Sequence, residues 1–208
     1  MQTKLQKQLL IASNNPGKVK EFRQLLSELR NVTLVTPQEL EISLKVEETG
    51  STYAENAALK ARAFVRTGGL LVLADDSGLE VDALDGAPGL YSARYSSKPG
   101  ATSADRRAYL LENLSGKPRP WRARFRAVLA VAVPGEPEVL SFEGVCPGEI
   151  IAEERGENGF GYDPLFFIPE KDLTMAQLSD EEKNRISHRG RAVQAALPSL
   201  QELIDRAE

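Results

Sequence analysis

Two pairs of adjacent carboxylates are the first candidates for chemistry in this chain of 208 residues. Asp75-Asp76 follows the apolar run Leu70 to Ala74, where the pattern predicts the exit of a buried strand. Hard cations such as Mg²⁺ take carboxylate oxygens, and open α/β sheets commonly carry sites at strand ends. Successive strand side chains point to opposite faces, so one of the pair would ligate and the other support it. The stretch Asp75-Asp76-Ser77-Gly78 is equally readable as a turn closed by Asx hydrogen bonds. Glu47-Glu48, before Thr49-Gly50, is the second pair; read alone, it is a solvated charged stretch near a helix N-terminus.

The run Ser13-Asn14-Asn15-Pro16-Gly17-Lys18 leads from the apolar Leu9 to Ala12 into a helix-like segment, Val19 to Leu29. A strand that turns through small and amide residues into a helix aims backbone N–H groups at one spot, where an anion is favoured. Lys18 adds a mobile positive charge. The Walker A pattern would need Gly at Ala12 and Ser or Thr at Val19, which argues against ordinary kinases and ATPases. A plain β-α connection can be written with the same residues. Lys60 lies four residues after Asn56 on the same helical face, where it either extends a phosphate site or faces water.

Gly159-Phe160-Gly161-Tyr162-Asp163-Pro164 joins flexible backbone to aromatic rings and an acid, the ingredients of a pocket for a flat ligand or of a loop packed on the core. Ser187-His188-Arg189-Gly190 holds the one histidine. Ser187 reads as an N-cap that leaves His188 and Arg189 exposed; if buried, the two offer donors at one place. No second His or Cys completes a zinc set, and no nucleophile elbow of a serine hydrolase is present. Arg122, Arg124 and Arg126 alternate with Ala123, Phe125 and Ala127 on one strand face. Such a stripe suits nucleic acid, a solvated strand face or a subunit contact, and a net charge of −4 favours the latter two.

These residues need a scaffold. Strands at Gln8 to Ala12 and Val32 to Thr36 around the first helix give a β-α-β opening, and a second helix is expected over Thr52 to Arg66, ended by Gly68-Gly69. A helix over Asp105 to Leu114 precedes long strands at Trp121 to Val133 and Glu138 to Cys146, joined through Pro134-Gly135-Glu136-Pro137. Gly148 to Glu154 reads as a further strand. Ser187 to Ala207 reads as a closing helix that Pro198 should kink or divide. The expected fold is α/β, a mixed central sheet flanked by helices, forming one domain over residues 1–208 with two lobes and an active-site cleft between them. With 41% hydrophobic and 27% charged residues the chain is an ordinary globular one. Cys146 has no partner for a bridge and reads as a small buried hydrophobe. The N-terminal stretch Met1 to Gln8 leads into too short an apolar run for a signal peptide, and no segment reaches membrane-spanning length, so the cytoplasm is the expected location.

Taken together, Ser13 to Lys18, Glu47-Glu48-Thr49-Gly50, Glu55-Asn56-Ala57 through Lys60-Ala61-Arg62, Ala74-Asp75-Asp76-Ser77-Gly78-Leu79, Gly86-Ala87-Pro88-Gly89 with Tyr91 to Tyr95, Phe160 to Pro164, and Ser187 to Gly190 resemble the inosine triphosphate pyrophosphatase family, in particular its bacterial branch acting on non-canonical purine nucleotides. The resemblance runs through nearly the whole chain. Asn14, where relatives often carry Gly, changes only the turn. The likeness implies hydrolysis of XTP, ITP and dITP to the monophosphate and pyrophosphate, with Mg²⁺, by a homodimer. It implies Asp76 as metal ligand and general base, Glu48 as a second metal ligand and Asp75 as their support. Ser13, Asn14, Asn15, Pro16, Gly17 and Lys18, with Ser77 and Lys60, would hold the triphosphate. Phe160, Gly161, Tyr162, Asp163, Lys183, His188 and Arg189 would form the base and sugar pocket. Neither a membrane nor a stable nucleic-acid partner is expected, and the arginine stripe is the expected dimer surface. The alternatives are a Maf-type pyrophosphatase that prefers canonical or modified pyrimidines, and a nucleic-acid-binding module built on the stripe.

Overall fold

β1 (Lys7–Ile11) opens the described part of the chain, residues 7–206 of a computed structural model. Residues 1–6 of the N-terminal stretch and Ala207, the last residue expected of the closing helix, lie outside it. Leu9, Leu10 and Ile11 are fully buried. β1 runs parallel to both β2 (Val32–Val35) and β3 (Leu71–Val81). Residues 121–174 add β4 (Trp121–Ala132), β5 (Val139–Ile150), β6 (Phe166–Ile168) and β7 (Leu173–Thr174). The sheet has seven strands in the order β2-β1-β3-β4-β5-β6-β7, and β5, β6 and β7 pair antiparallel, so it is mixed as expected. The helices are α1 (Pro16–Leu25), α2 (Tyr53–Gly68), α3 (Ser103–Leu114), α4 (Asp180–Ile186) and α5 (His188–Arg206). Among the described residues, no helix is long and apolar enough to cross a membrane.

The chain divides into two units. The first takes the residues up to Asp76, Val128–Glu143 and those from Ala192 on; α2 packs Ala57, Ala61 and Phe64 against Leu10, Val72 and Ala74 of the strands. The second takes Ser77–Ala127 and Gly144–Arg191, with a core around Leu79, Leu110, Phe125, Tyr162 and Phe166.

Several boundaries differ from the sequence reading. α1 begins at Pro16 rather than Val19, because Asn15 caps it by accepting the Gly17 and Lys18 N–H groups at 2.9 and 3.2 Å and Pro16 is preset for the first turn. It ends at Leu25, four residues early, where the Ser27 hydroxyl donates to the Gln24 carbonyl at 2.7 Å. β3 does not stop at the aspartates. Leu79 and Val81 are fully buried beyond them, so the apolar pattern resumes and the Asp pair lies within a strand, not in a turn. The separate strands expected on either side of Pro147 form one, β5. Gly148 marks not a break but the place where β6 comes close, since a Cβ there would lie 2.6 Å from the Phe167 carbonyl. α5 passes through Pro198 undivided, held on one face by buried Ala196, Leu200 and Ile204.

The arginine stripe has an internal explanation. Trp121, Ala123 and Phe125 face the core, while Arg124 meets Glu80 at 2.6 Å and Asp82 at 3.2 Å, and Arg126 meets Glu80 at 3.1 Å. Two of the three cations thus neutralise acids of their own unit. Cys146 is buried, and burial pushes its thiol up to about 11, so it stays protonated as a small hydrophobe.

Candidate functional site

In the first unit the carboxylates and lysines interlock. Asp75, 2% exposed, receives the Lys18 ammonium at 2.9 Å. Lys18 belongs to the first turn of α1, so the helix start and β3 are joined through this pair. Asp76, the next residue on β3, accepts a hydrogen bond from the Asn56 side-chain amide at 3.1 Å. Lys60, one turn after Asn56 on α2, lies 3.0 Å from Glu48 and 3.8 Å from Asp76. Glu48 and Asp76 therefore converge on one cation. Burial raises the Asp76 pKa against the opposing pull of Lys60, Asn56 and Lys18. For Lys60, burial works against the ammonium, but Asp75, Asp76 and Glu48 outweigh it and its pKa is raised.

Asn56 has a larger part than the sequence suggested. Its carbonyl oxygen accepts the Gly50 N–H at 2.8 Å while its amide donates to Asp76, so one buried side chain clamps the loop carrying Glu48 to the strand carrying Asp76. Gly50 is required there, since a Cβ would lie 2.7 Å from the Asn56 oxygen. The visible signal was only a shared helical face with Lys60.

The donor chemistry fits a hard divalent cation. Among the described residues no three His, Cys, Asp or Glu side chains form a metal cage. Mg²⁺ does not need one, because it commonly takes one or two carboxylates and completes its shell with water and substrate phosphate oxygens.

In the second unit Asp163, 3% exposed, accepts from the Lys183 ammonium at 2.6 Å and from the Phe160 N–H at 2.8 Å. Lys183 lies 5.0 Å and the Arg189 guanidinium 5.8 Å from the centre of the Phe160 ring, within cation–π range. Arg189 is 1% exposed and donates to the Ser77 hydroxyl at 3.2 Å, so Ser77, the residue after Asp76, joins this group. Lys183 is presented by α4, a helix that the sequence reading missed although Ser179 and Glu182 form its capping box.

Two of the residues expected in the base pocket, Tyr162 and His188, are buried. The Tyr162 ring belongs to the hydrophobic cluster and its hydroxyl donates to the Ser92 carbonyl at 2.9 Å, which leaves Phe160 as the aromatic ring at hand for stacking. His188 is buried and stacks on Phe125 with centroids 4.8 Å apart. Ser187 serves as anchor, accepting the Gly190 N–H at 3.1 Å, and a Cβ on Gly190 would fall 1.9 Å from the Asn184 carbonyl. Gly190→Ala is accordingly expected to cost about 3 kcal/mol, read by calorimetry as a fall in Tm of about 6–12 °C. An unchanged Tm would show that the α4–α5 junction yields freely.

A mixed sheet flanked by helices, whose third strand carries a carboxylate pair beside a helix start bearing a lysine, sets acids and cations side by side in the first unit. The chain belongs to the Ham1 family, whose model matches residues 9–199. A dITP/XTP pyrophosphatase of Desulforamulus reducens is 49% identical over 196 residues, covering 94% of this chain and 96% of that protein. That of Bacillus subtilis is 47% identical over 190 residues, covering 91% and 94%. Among solved structures, a HAM1 protein from Coxiella burnetii superposes with a TM-score of 0.84 at 42% identity, covering 94% of this chain and 99% of that one. The Staphylococcus aureus Ham1 protein does so with a TM-score of 0.82, also at 42% identity, with coverage of 94% and 99%.

Proposed function

We propose that this protein hydrolyses XTP, ITP and dITP to the nucleoside monophosphate and pyrophosphate, removing deaminated purines from the nucleotide pool before polymerases use them. The observation that carries the reading is the convergence of Glu48 and Asp76 on one cation beside the Lys18–Asp75 pair. The names of relatives near half identity over almost their full length support it.

Glu48 and Asp76 would hold Mg²⁺, which when bound offsets triphosphate charge and acidifies a coordinated water. Asp76 would accept the proton of the attacking water as its oxygen bonds to the α phosphorus and the α–β bridging bond breaks. Lys18 and Lys60 would meet the charge that develops on the departing pyrophosphate. The turn from Ser13 to Gly17 would place backbone N–H groups around the phosphates, with Pro16, which has none, fixing the helix start, and Ser77 would add a hydroxyl. Asp75 would hold Lys18 in readiness.

Phe160 would stack on the purine, with Gly161 and Tyr162 shaping the loop. Hypoxanthine and xanthine carry a 6-oxo acceptor that donors on Lys183 or Arg189 can meet, with His188 supporting the wall, whereas adenine would oppose them with a 6-amino donor. Failure to pair buried polar groups can discriminate by roughly 10⁴. Guanine shares the 6-oxo group, so its rejection would depend on denying its 2-amino group an acceptor. The setting we infer is cytoplasmic, and the assembly a homodimer with the β4 arginine face as its contact.

Incubation with Mg²⁺ and a panel of dITP, XTP, GTP, dATP and dTTP, with pyrophosphate and orthophosphate measured separately, tests the reading. Pyrophosphate from dITP and XTP alone is the expected result. Pyrimidine turnover would point to Maf-type activity, and salt-dependent binding of nucleic acid without turnover to a binding module.

A further inference from the structure

Arg107 lies on α3, outside the motifs that carry the family likeness and outside the roles given above. Its Nε donates to Glu154 Oε1 at 2.7 Å and its Nη2 to Glu154 Oε2 at 2.9 Å. That planar fork fixes the guanidinium, whose Nη1 then donates to the Gly161 carbonyl at 2.9 Å. The Arg107 side chain is only 14% exposed, so this is not a loose surface pair.

Gly161 directly follows Phe160. The ring stands between two left-handed glycines, Gly159 at φ +74° and Gly161 at φ +64°, so the adjoining peptide planes are set by hydrogen bonds rather than by packed side chains. Asp163 holds the Phe160 N–H on one side of the turn, and Arg107 holds the Gly161 carbonyl on the other. The Arg155 N–H donates to the Pro164 carbonyl at 3.0 Å, which keeps the segment carrying Glu154 beside this loop.

We propose that Arg107 is a positioning residue for the purine: oriented by Glu154, it holds the Gly161 carbonyl and thereby sets the attitude of the Phe160 ring. It governs base affinity and takes no part in phosphate chemistry. This rests on the base-pocket reading given under the proposed function.

The test compares wild type, Arg107→Ala, Arg107→Lys, Glu154→Ala and Arg107→Ala/Glu154→Ala in dITP turnover, and follows amide hydrogen exchange of residues 160–163 without nucleotide. Loss of a hydrogen bond from a charged donor is expected to raise KM about tenfold in Arg107→Ala, with kcat changed by less than about twofold. Arg107→Lys, which keeps the charge but cannot form the fork and the third bond together, should fall between. The double variant should be no worse than Arg107→Ala, because Glu154 acts through the arginine, and exchange of the loop amides should accelerate. An unchanged KM, a fall confined to kcat, or full additivity of Glu154→Ala would overturn the proposal. A wild-type protein inactive on dITP would instead count against the proposed function. The exchange measurement would then decide for Arg107, with acceleration upholding the positioning role and unchanged rates sinking it.

Discussion

Asp76→Asn is expected to lower dITP turnover on the order of 10³-fold or more while the protein melts no earlier than wild type, because in the proposed reaction the group removed would serve as both base and metal ligand. Stability follows from the sign of the pKa shift. Burial outweighs Lys60, Asn56 and Lys18, so the folded-state pKa is raised. The folded chain then binds this proton more tightly than the unfolded chain. Its stabilising contribution is complete below the unfolded value of about 3.9 and is lost as pH rises through the raised folded value. Near neutrality the ionised carboxylate is therefore a burden, and the neutral amide, which still offers an oxygen to Asn56, relieves it. Wild-type kcat/KM should correspondingly rise through a pH above the ordinary carboxylate range. Calorimetry and a pH–rate profile check both halves; a variant that loses activity and several degrees of Tm together would mean that Asp76 is chiefly structural.

Lys183→Met carries the largest expected cost in stability. Lys183 and Asp163 are both 5% exposed at the side chain and meet at 2.6 Å, so truncation leaves a buried carboxylate without its ammonium. Breaking such a pair costs about 3–5 kcal/mol, or roughly 6–20 °C in Tm for a chain of this length. The double variant Lys183→Met/Asp163→Leu should recover much of that loss, since a neutral pair has no charge to strand. It should not recover preference for dITP over dATP if Lys183 is the donor that meets the 6-oxo group, as proposed. Melting temperatures with the ratio of dITP to dATP turnover separate the roles. A double variant that regains discrimination would remove Lys183 from base selection.

The sequence disclosed the β-α-β opening because Leu9 to Ile11 and Leu71 to Ala74 are continuous apolar runs, which a buried parallel strand requires. It misplaced the end of β3 because aspartate ordinarily leaves a strand, and the ion pair that allows Asp75 to stay inside depends on Lys18, remote in sequence. α4 is hard to see in the sequence because it is short and largely charged, with no apolar stripe to mark a buried face. The candidate residues were named from their types and from the family likeness, yet their connections were not legible. That Asn56 would bind Gly50 and Asp76 together, or that Tyr162 would turn inward while Phe160 remained at hand, depends on contacts between distant segments. Local pattern carries no record of these.

The cap of α1 would set a threshold for entry to the proposed phosphate site. Asn15 already spends its side-chain oxygen on the Gly17 and Lys18 amides, so a phosphate oxygen that reaches them must evict a neutral carbonyl. In the proposed site, a highly charged triphosphate or pyrophosphate would win that contest more readily than a singly or doubly charged anion, given the positive end of the helix. If the proposed triphosphate site is right, the turn would rank visitors by charge, and the same amides would return to Asn15 when the product leaves.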